Sequence, residues 1–183
     1  MTATPILIYE RLPVTCEPHD PDSTTAARLV ADLIVSIDQL LSVEHIGSTS
    51  VPGCPGKGVI DLQLLYPPGR LEPAKHALKK LGFQKQTTRE AFPESRPMRT
   101  GALDYQGKTY RLHVHVIEAG STEAECNRRF RDALRADPGL VTAYIAQKKK
   151  LLAAGLTDGI DYAKAKGQFV EGVLKDLGLS LTG

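Results

Sequence analysis

The residues best equipped for chemistry lie in the segment 44–65, which reads EHIGSTSVPGCPGKGVIDLQLL. A strand ending at Gly47-Ser48 runs into a Gly/Pro-rich loop and then into a second strand carrying one carboxylate, Asp61. Glycine lets a backbone turn approach a phosphate closely, and Ser48, Thr49 and Ser50 set hydroxyls beside the amides of that turn. Alternation along a strand points residues 61 and 63 to one face, where two acids could share a divalent cation. The second of them is Gln63, a neutral amide with one carbonyl oxygen, which weakens a two-metal arrangement. Lys57 immediately precedes the Asp61 strand and is a candidate phosphate contact; its alternative reading is a solvated loop lysine.

His113 and His115 form a second pair of the same kind. They alternate in LHVHVIE and so share one face. Two neutral imidazoles at i and i+2 can ligate one metal, and a protonated one can meet a phosphate. An isolated pair like this ordinarily faces solvent on an antiparallel strand. Its parallel with Asp61 and Gln63 argues for a site, because adjacent strands would bring the two polar pairs together. Asp61, His113 and His115 are therefore the candidate catalytic residues and the candidate metal ligands. The Gly-Lys pair at Gly56-Lys57 is not a P-loop: the required earlier glycine falls on Val51, and Gly58 stands where a hydroxyl must meet magnesium.

The remaining cations have a plainer default. Arg128, Arg131 and Arg135 share one helical face by their spacing, while Lys148, Lys149 and Lys150 lie on the next helix and Lys164 and Lys166 on the last. A solvated face is the usual fate of such runs. Arg89, Arg96 and Arg99 precede the histidine strand, from where one could reach an anionic substrate. No aromatic residues interleave with these charges as a single-strand nucleic-acid platform requires.

Several elements must position these residues. Three prolines in residues 11–22 predict an irregular arm after a short N-terminal strand. Ser23 or Thr24 is placed to cap a helix reaching about Leu41, and strands follow over 43–46 and 58–66. A helix over 71–81 stops at Gly82, a strand covers 83–87, and 88–101 reads as a loop. Residues 103–106 and 109–118 read as a hairpin around Gln106-Gly107. Thr122 with Glu125 predicts a capped helix to about Ala136, Asp137-Pro138 opens another that ends at Gly155, and a last one covers about 160–177. Strands interleave with helices early and the final third is helical, which is an α/β (α+β) pattern.

Bulk properties narrow the classes. The 183 residues suffice for one domain with its own core, and 42% hydrophobic with 24% charged residues is ordinary for a globular chain. A net charge of +2 points to no nucleic-acid or membrane partner by itself. The three scattered cysteines suggest free thiols in a reducing compartment. No basic start with an apolar run, and no run of membrane-spanning length, is present, so the expected location is cytoplasmic.

Two resemblances sharpen this reading. Ile46-Gly47-Ser48, followed after 12 residues by Asp61-Leu62-Gln63-Leu64, resembles the signature of the nucleotidyltransferase superfamily. There two carboxylates alternate on the second strand and a third comes from a later one; with His113 or His115 in that place the site would be Asp/His. More specifically, EHIGSTSVPG, then Lys57 with Ile60-Asp61-Leu62, then HVHVIEAGS, RFRDALRADPGLVTAY and YAKAKGQF resemble, in order, the motifs of the GrpB family from about Glu44 onward. That resemblance implies a nucleotidyltransferase-like small mixed sheet flanked by helices, as one domain over 1–183. Its α/β core would span 1–120, with a helical region over 121–183 packed on it.

Residue by residue, the resemblance carries over to Gly47, Ser48, Thr49, Lys57, Asp61, His113, His115, Arg131, Asp132, Arg135, Tyr144, Lys148, Tyr162 and Lys166. The family usually has one acid on the second strand, so Gln63 departs from nucleotidyltransferases and not from GrpB proteins. The chain departs from the family's usual N-terminal Tyr-Asp-Pro, which is YERLPVTCEPHDP here, and from its Arg-Phe-Phe-like segment, which is SRPMRTGALDY. The implied ligand is a nucleotide or another phosphate-bearing small molecule. Gly47, Ser48, Thr49 and Ser50 would cradle its phosphates with Lys57, Arg131, Arg135 and Lys166, and Asp61 with His113 or His115 would hold Mg²⁺ or Mn²⁺ for nucleotidyl transfer. The alternative is a catalytically inactive binding or accessory module linked to nucleotide or coenzyme A metabolism, since some family members are fused to dephospho-coenzyme A kinase. Nucleic-acid binding ranks last because the overall charge is modest.

Overall fold

A computed structural model describes residues 4–180, so the extreme ends of the expected 1–183 domain lie outside the described residues. The strands are β1 (Ser42–Ile46), β2 (Val59–Tyr66), β3 (Gln84–Lys85), β4 (Met98–Tyr105) and β5 (Lys108–Glu118). They form a mixed sheet of order β1-β2-β5-β4-β3, in which β2 and β5 run parallel and the other neighbours antiparallel. The helices are α1 (Asp22–Ile37), α2 (Leu71–Leu81), α3 (Thr122–Ala136), α4 (Pro138–Ala153) and α5 (Gly159–Asp176). The architecture is mixed α/β.

Period-2 alternation divides the two central strands between two faces. Ile60, Leu62 and Leu64 of β2, with Leu112, Val114 and Val116 of β5, turn to α1 and α2 and bury against Val30, Ile34 and Leu78. The intervening positions, 59, 61, 63 and 65 with 111, 113, 115 and 117, face the opposite side. There Leu65 and Ile117 meet Ala124 of α3. A second apolar cluster joins Cys126, Phe130 and Leu134 of α3 with Tyr144 of α4, Leu174 of α5, and Val51 and Cys54 of the β1–β2 loop. The helical third therefore packs on the loop that carries the Gly-Ser turn. Among the described residues no helix is long and apolar enough to cross a membrane. All three cysteines are free thiols.

Several local expectations change. Pro21, not Ser23 or Thr24, precedes α1, and the Ser23 hydroxyl instead donates to the backbone oxygens of Asp20 and Thr49, at 2.7 and 3.2 Å. The helix ends at Ile37, because the Asp38 carboxylate accepts the Leu40 amide and binds Arg70; Leu41 is buried from a loop. Ser121 caps α3 by accepting the Ala124 amide, in place of the Thr122/Glu125 box. Asp137 caps α4 as expected, accepting the Gly139 and Leu140 amides at 2.8 and 3.1 Å. The stretch read as a loop over 88–101 becomes strand from Met98 onward. Arg99 and Gly101 are weak strand formers, but Met98–Tyr105 pairs along β5, and the buried Arg99 is paired with Glu94 at 2.8 Å. The strand expected over 83–87 shrinks to Gln84–Lys85.

Candidate functional site

Register assembles the site. In the parallel β2–β5 pair Asp61 lies opposite His113 and Gln63 opposite His115, while Asp61 pairs across β1 with Ile46. Gly47 therefore follows directly beside Asp61. It adopts φ 72° and ψ −173°, and a Cβ placed on it would lie 2.9 Å from Asp61 Oδ2. Only glycine allows this turn to rest on the carboxylate.

A cavity of about 700 Å³ opens over this point. Gly47, Lys57, Asp61, His113, His115 and Lys166 all line it, together with Tyr9, Phe92, Arg111 and Tyr144. Asp61 Oδ1 is 3.9 Å from Lys57 Nζ and 3.3 Å from His113 Nδ1. Burial opposes ionisation of Asp61, but the Lys57 ammonium and the His113 hydrogen bond outweigh it and hold the carboxyl far below its usual range. His113 Nε2 in turn meets the Tyr9 hydroxyl at 3.1 Å. Burial, reinforced by Lys57, pushes the His113 imidazole towards its neutral form. His115 packs edge-on against Phe92, its Nδ1 makes no hydrogen bond among the described residues, and burial lowers its pKa to about 3. The Arg96 guanidinium covers the Phe92 ring at 4.1 Å.

The cations respond in opposite directions. Burial pushes Lys57 down, with Asp61 opposing, whereas the Tyr144 hydroxyl, and after it Asp61, push Lys166 up. Arg111 donates to the Lys57 carbonyl at 2.6 Å and so fixes the lysine loop.

The other candidates from the sequence hold the turn from behind or line a recess beside the cavity. Ser50 is buried and its hydroxyl donates to the Gly47 carbonyl at 2.6 Å. Thr49 Oγ1 lies 2.9 Å from His45 Nε2, and burial lowers that imidazole to about 4. Arg135 donates from Nε and Nη2 to the Ser50 carbonyl at 3.0 and 2.7 Å. Arg131 donates to the His45 carbonyl at 3.2 Å and pairs with Asp132 at 2.8 Å. Both arginines thus grip the turn from behind, through its carbonyls, and neither lines the cavity. Ser48 faces a recess beside the cavity with Thr49, Lys57, Asp61, Lys148 and Lys166.

Gln63 shares the face of Asp61 but not its surroundings. Fully buried under α3, it donates from Nε2 to Glu44 Oε2 at 2.9 Å and to the Ala124 carbonyl at 3.3 Å, and Oε1 accepts from Asn127 at 3.2 Å. Its work is to tie α3 to the sheet. At the turn the cavity therefore offers one carboxylate, Asp61, with one oxygen facing Lys57 and His113 and the other against Gly47; its other lining acid, Glu90, pairs with Lys164 at 2.8 Å. The ligand set expected from the sequence, Asp61 with His113 and His115, converges on the cavity but not on a point. Among the described residues no group of three or more His, Cys, Asp or Glu is arranged to hold a metal ion. This donor set does not fit a resident Mg²⁺, which asks for several hard oxygens.

Reasoning from sequence passed over Tyr9, Phe92 and Arg111. Tyr9 and Phe92 sit in stretches without periodicity, and only the sheet edge and the β3–β4 loop carry them to the cavity. Arg111 alternates with His113 on β5, and that period was a usable signal.

The family model described as GrpB protein matches residues 13–176. The chain belongs to the GrpB family. Similar curated relatives include UPF0157 proteins of Halalkalibacterium halodurans, Pseudomonas aeruginosa and Streptomyces coelicolor, at 31, 33 and 34% identity over 75, 73 and 71% of this chain. The matches span 68, 54 and 65% of those relatives' own lengths. The crystal structure of the conserved protein GrpB from Enterococcus faecalis superposes with a TM-score of 0.61 at 23% identity, covering 87% of this chain and 98% of that one. Terminal uridylyl transferase 4 from Trypanosoma brucei with bound dUTP gives 0.52 at 18% identity, over 89% of this chain and 56% of that one. The protein mtPAP in complex with ATPgammaS gives 0.52 at 15%, over 86 and 39%. These likenesses establish a nucleotidyltransferase-like fold for this GrpB-family chain.

Proposed function

We propose that this GrpB-family chain binds a nucleotide or another phosphate-bearing small molecule in the cavity over Asp61. One observation carries the reading: a glycine-only turn resting on an ionised carboxylate, with Lys57 and Lys166 on the wall of a cavity of about 700 Å³, a size suited to a small ligand. The phosphates lie against the turn and the two ammonium groups. The organic part of the ligand lies towards Tyr9 and Phe92, whose rings line the cavity. The bound dUTP and ATPgammaS of the two structural neighbours belong to those proteins, and they support the reading at the level of the fold.

Binding is common to both roles read from the sequence, nucleotidyl transfer and an accessory module. Metal-dependent transfer asks for a carboxylate set that Gln63 and His113 do not supply, so no transfer step is assigned to this chain. The test is calorimetric titration with ATP, UTP, ADP and inorganic pyrophosphate, on the natural protein and on Lys166→Met. Loss of one charge-assisted contact should weaken binding about tenfold or more. Absence of binding by every phosphate compound, or equal binding by the Lys166→Met protein, would refute the reading.

A further inference from the structure

We propose that the side-chain ammonium groups of Lys57, Lys148 and Lys166 stand in for a divalent cation, making this a metal-independent site for a phosphate that carries at least two negative charges. The inference rests on the phosphate-binding reading above and goes further by naming what neutralises the ligand.

Lys148 is the decisive residue. It is 1% exposed, and it forms no ion pair among the described residues. Its ammonium meets only uncharged groups: Ser48 Oγ at 3.2 Å, Cys54 Sγ at 3.4 Å and the Pro55 carbonyl, with the Tyr144 ring centred 4.4 Å away. A buried charge without a counter-charge is costly, and such groups are normally paired. The three N–H donors of Lys148 are all taken, so what it lacks is a counter-charge, and it lines the recess beside the cavity.

That recess is lined by Ser48, Gly56, Lys57, Asp61, Lys148 and Lys166, and its free volume is about 10 Å³. This is room for roughly one oxygen atom. Lys57 and Asp61 line both the recess and the large cavity, as does Lys166, so the two spaces share a wall. A phosphate seated on the Gly47 turn can send one non-bridging oxygen into the recess while the rest of the ligand stays in the cavity.

Charge balance then separates this site from a metal site. Nucleotidyltransferase-type sites gather carboxylates so that cations can be recruited to the phosphates. Here a single carboxylate faces three ammonium groups, an excess of two positive charges before any ion binds. The lysines thus already supply the positive field, and one acid is all that is needed to order Lys57 and His113. The second acid's place is filled by Gln63, turned to structural use.

Calorimetry with pyrophosphate and ATP, in excess EDTA and in excess Mg²⁺, decides the matter. Binding in EDTA should be as tight as in Mg²⁺, and whatever affinity Asp61→Asn retains should be the same in EDTA as in Mg²⁺. Lys148→Met should weaken pyrophosphate binding about tenfold or more. Pyrophosphate should raise the melting temperature of the natural protein but not of Lys148→Met, which also shows whether the variant is folded. Lys166→Met, at a more exposed position, provides a second variant with the same expected loss. Binding seen only with Mg²⁺ and abolished by Asp61→Asn would overturn this inference and leave phosphate binding standing. No binding in either condition would remove both.

Discussion

Substituting Gly47 by alanine tests the local geometry most directly. Its φ of 72° with ψ of −173° lies in a region that only glycine enters without strain, and forcing alanine there costs about 1–3 kcal/mol. The added methyl carbon would also meet Asp61 Oδ2 at 2.9 Å and Asp61 Cβ at 3.1 Å. Asp61 has little room to yield, because its other oxygen faces Lys57 and His113. For a chain of this size the backbone cost alone corresponds to a melting temperature lower by roughly 2–12 °C. Gly53 supplies the control: it too has a positive φ, 73°, yet a Cβ there would meet nothing within 4 Å. Gly53→Ala therefore incurs backbone strain and leaves Asp61 in place. Thermal unfolding by circular dichroism, paired with pyrophosphate calorimetry, should show both variants destabilised and only Gly47→Ala impaired in binding. Equal binding by the two variants would refute the claim that the turn rests on the carboxylate.

Other perturbations probe the support around the site. Gln63→Glu restores the second acid of the superfamily pattern but sets a carboxylate against Glu44 and the Ala124 carbonyl in a fully buried position, so it should cost about 2–4 kcal/mol in urea unfolding. An equally stable variant that gained Mn²⁺ affinity would contradict that account. His45 and His115 have folded pKa values of about 4 and about 3, against 6.5 unfolded, so the unfolded chain binds the extra protons. Stability should accordingly be fully present above pH 6.5 and fall between pH 6.5 and about 3, and His45→Gln should flatten the upper part of that window; an unchanged slope would dismiss the assignment. Arg135→Ala removes two hydrogen bonds to the Ser50 carbonyl and should cost about 1 kcal/mol, with ligand binding weakened no more than the turn is loosened. Unaltered stability with abolished binding would instead make Arg135 a ligand contact.

Much of the site was legible because local chemistry and strand period carry it. Gly47 before Asp61 by a fixed spacing, and two strands with polar i, i+2 pairs, pointed to one location, and the β2–β5 register brought them together. The alternation that predicted a shared face for Asp61 and Gln63 held as geometry and failed as chemistry. Helix α3 covers Gln63 and not Asp61, and where a helix lands is not written in strand period. Arg131 and Arg135 read as phosphate contacts by motif, yet their guanidinium groups reach backbone carbonyls, because α3 lies behind the turn. Met98–Tyr105 read largely as loop because strand pairing with β5, and not the propensity of Arg99 or Gly101, makes it a strand.

The sequence by itself determined the class, the family motifs, most element types and the glycine turn with its one acid, since each depends on residues near in sequence or on a simple period. Only the tertiary structure decided which charges meet. Lys57, Lys148 and Lys166 come from a loop and two helices, and packing of α4 and α5 on Val51 and Cys54 carries two of them to the recess behind Ser48. Charge balance in a buried site is a sum over groups distant in sequence, and it exists only once the chain has folded.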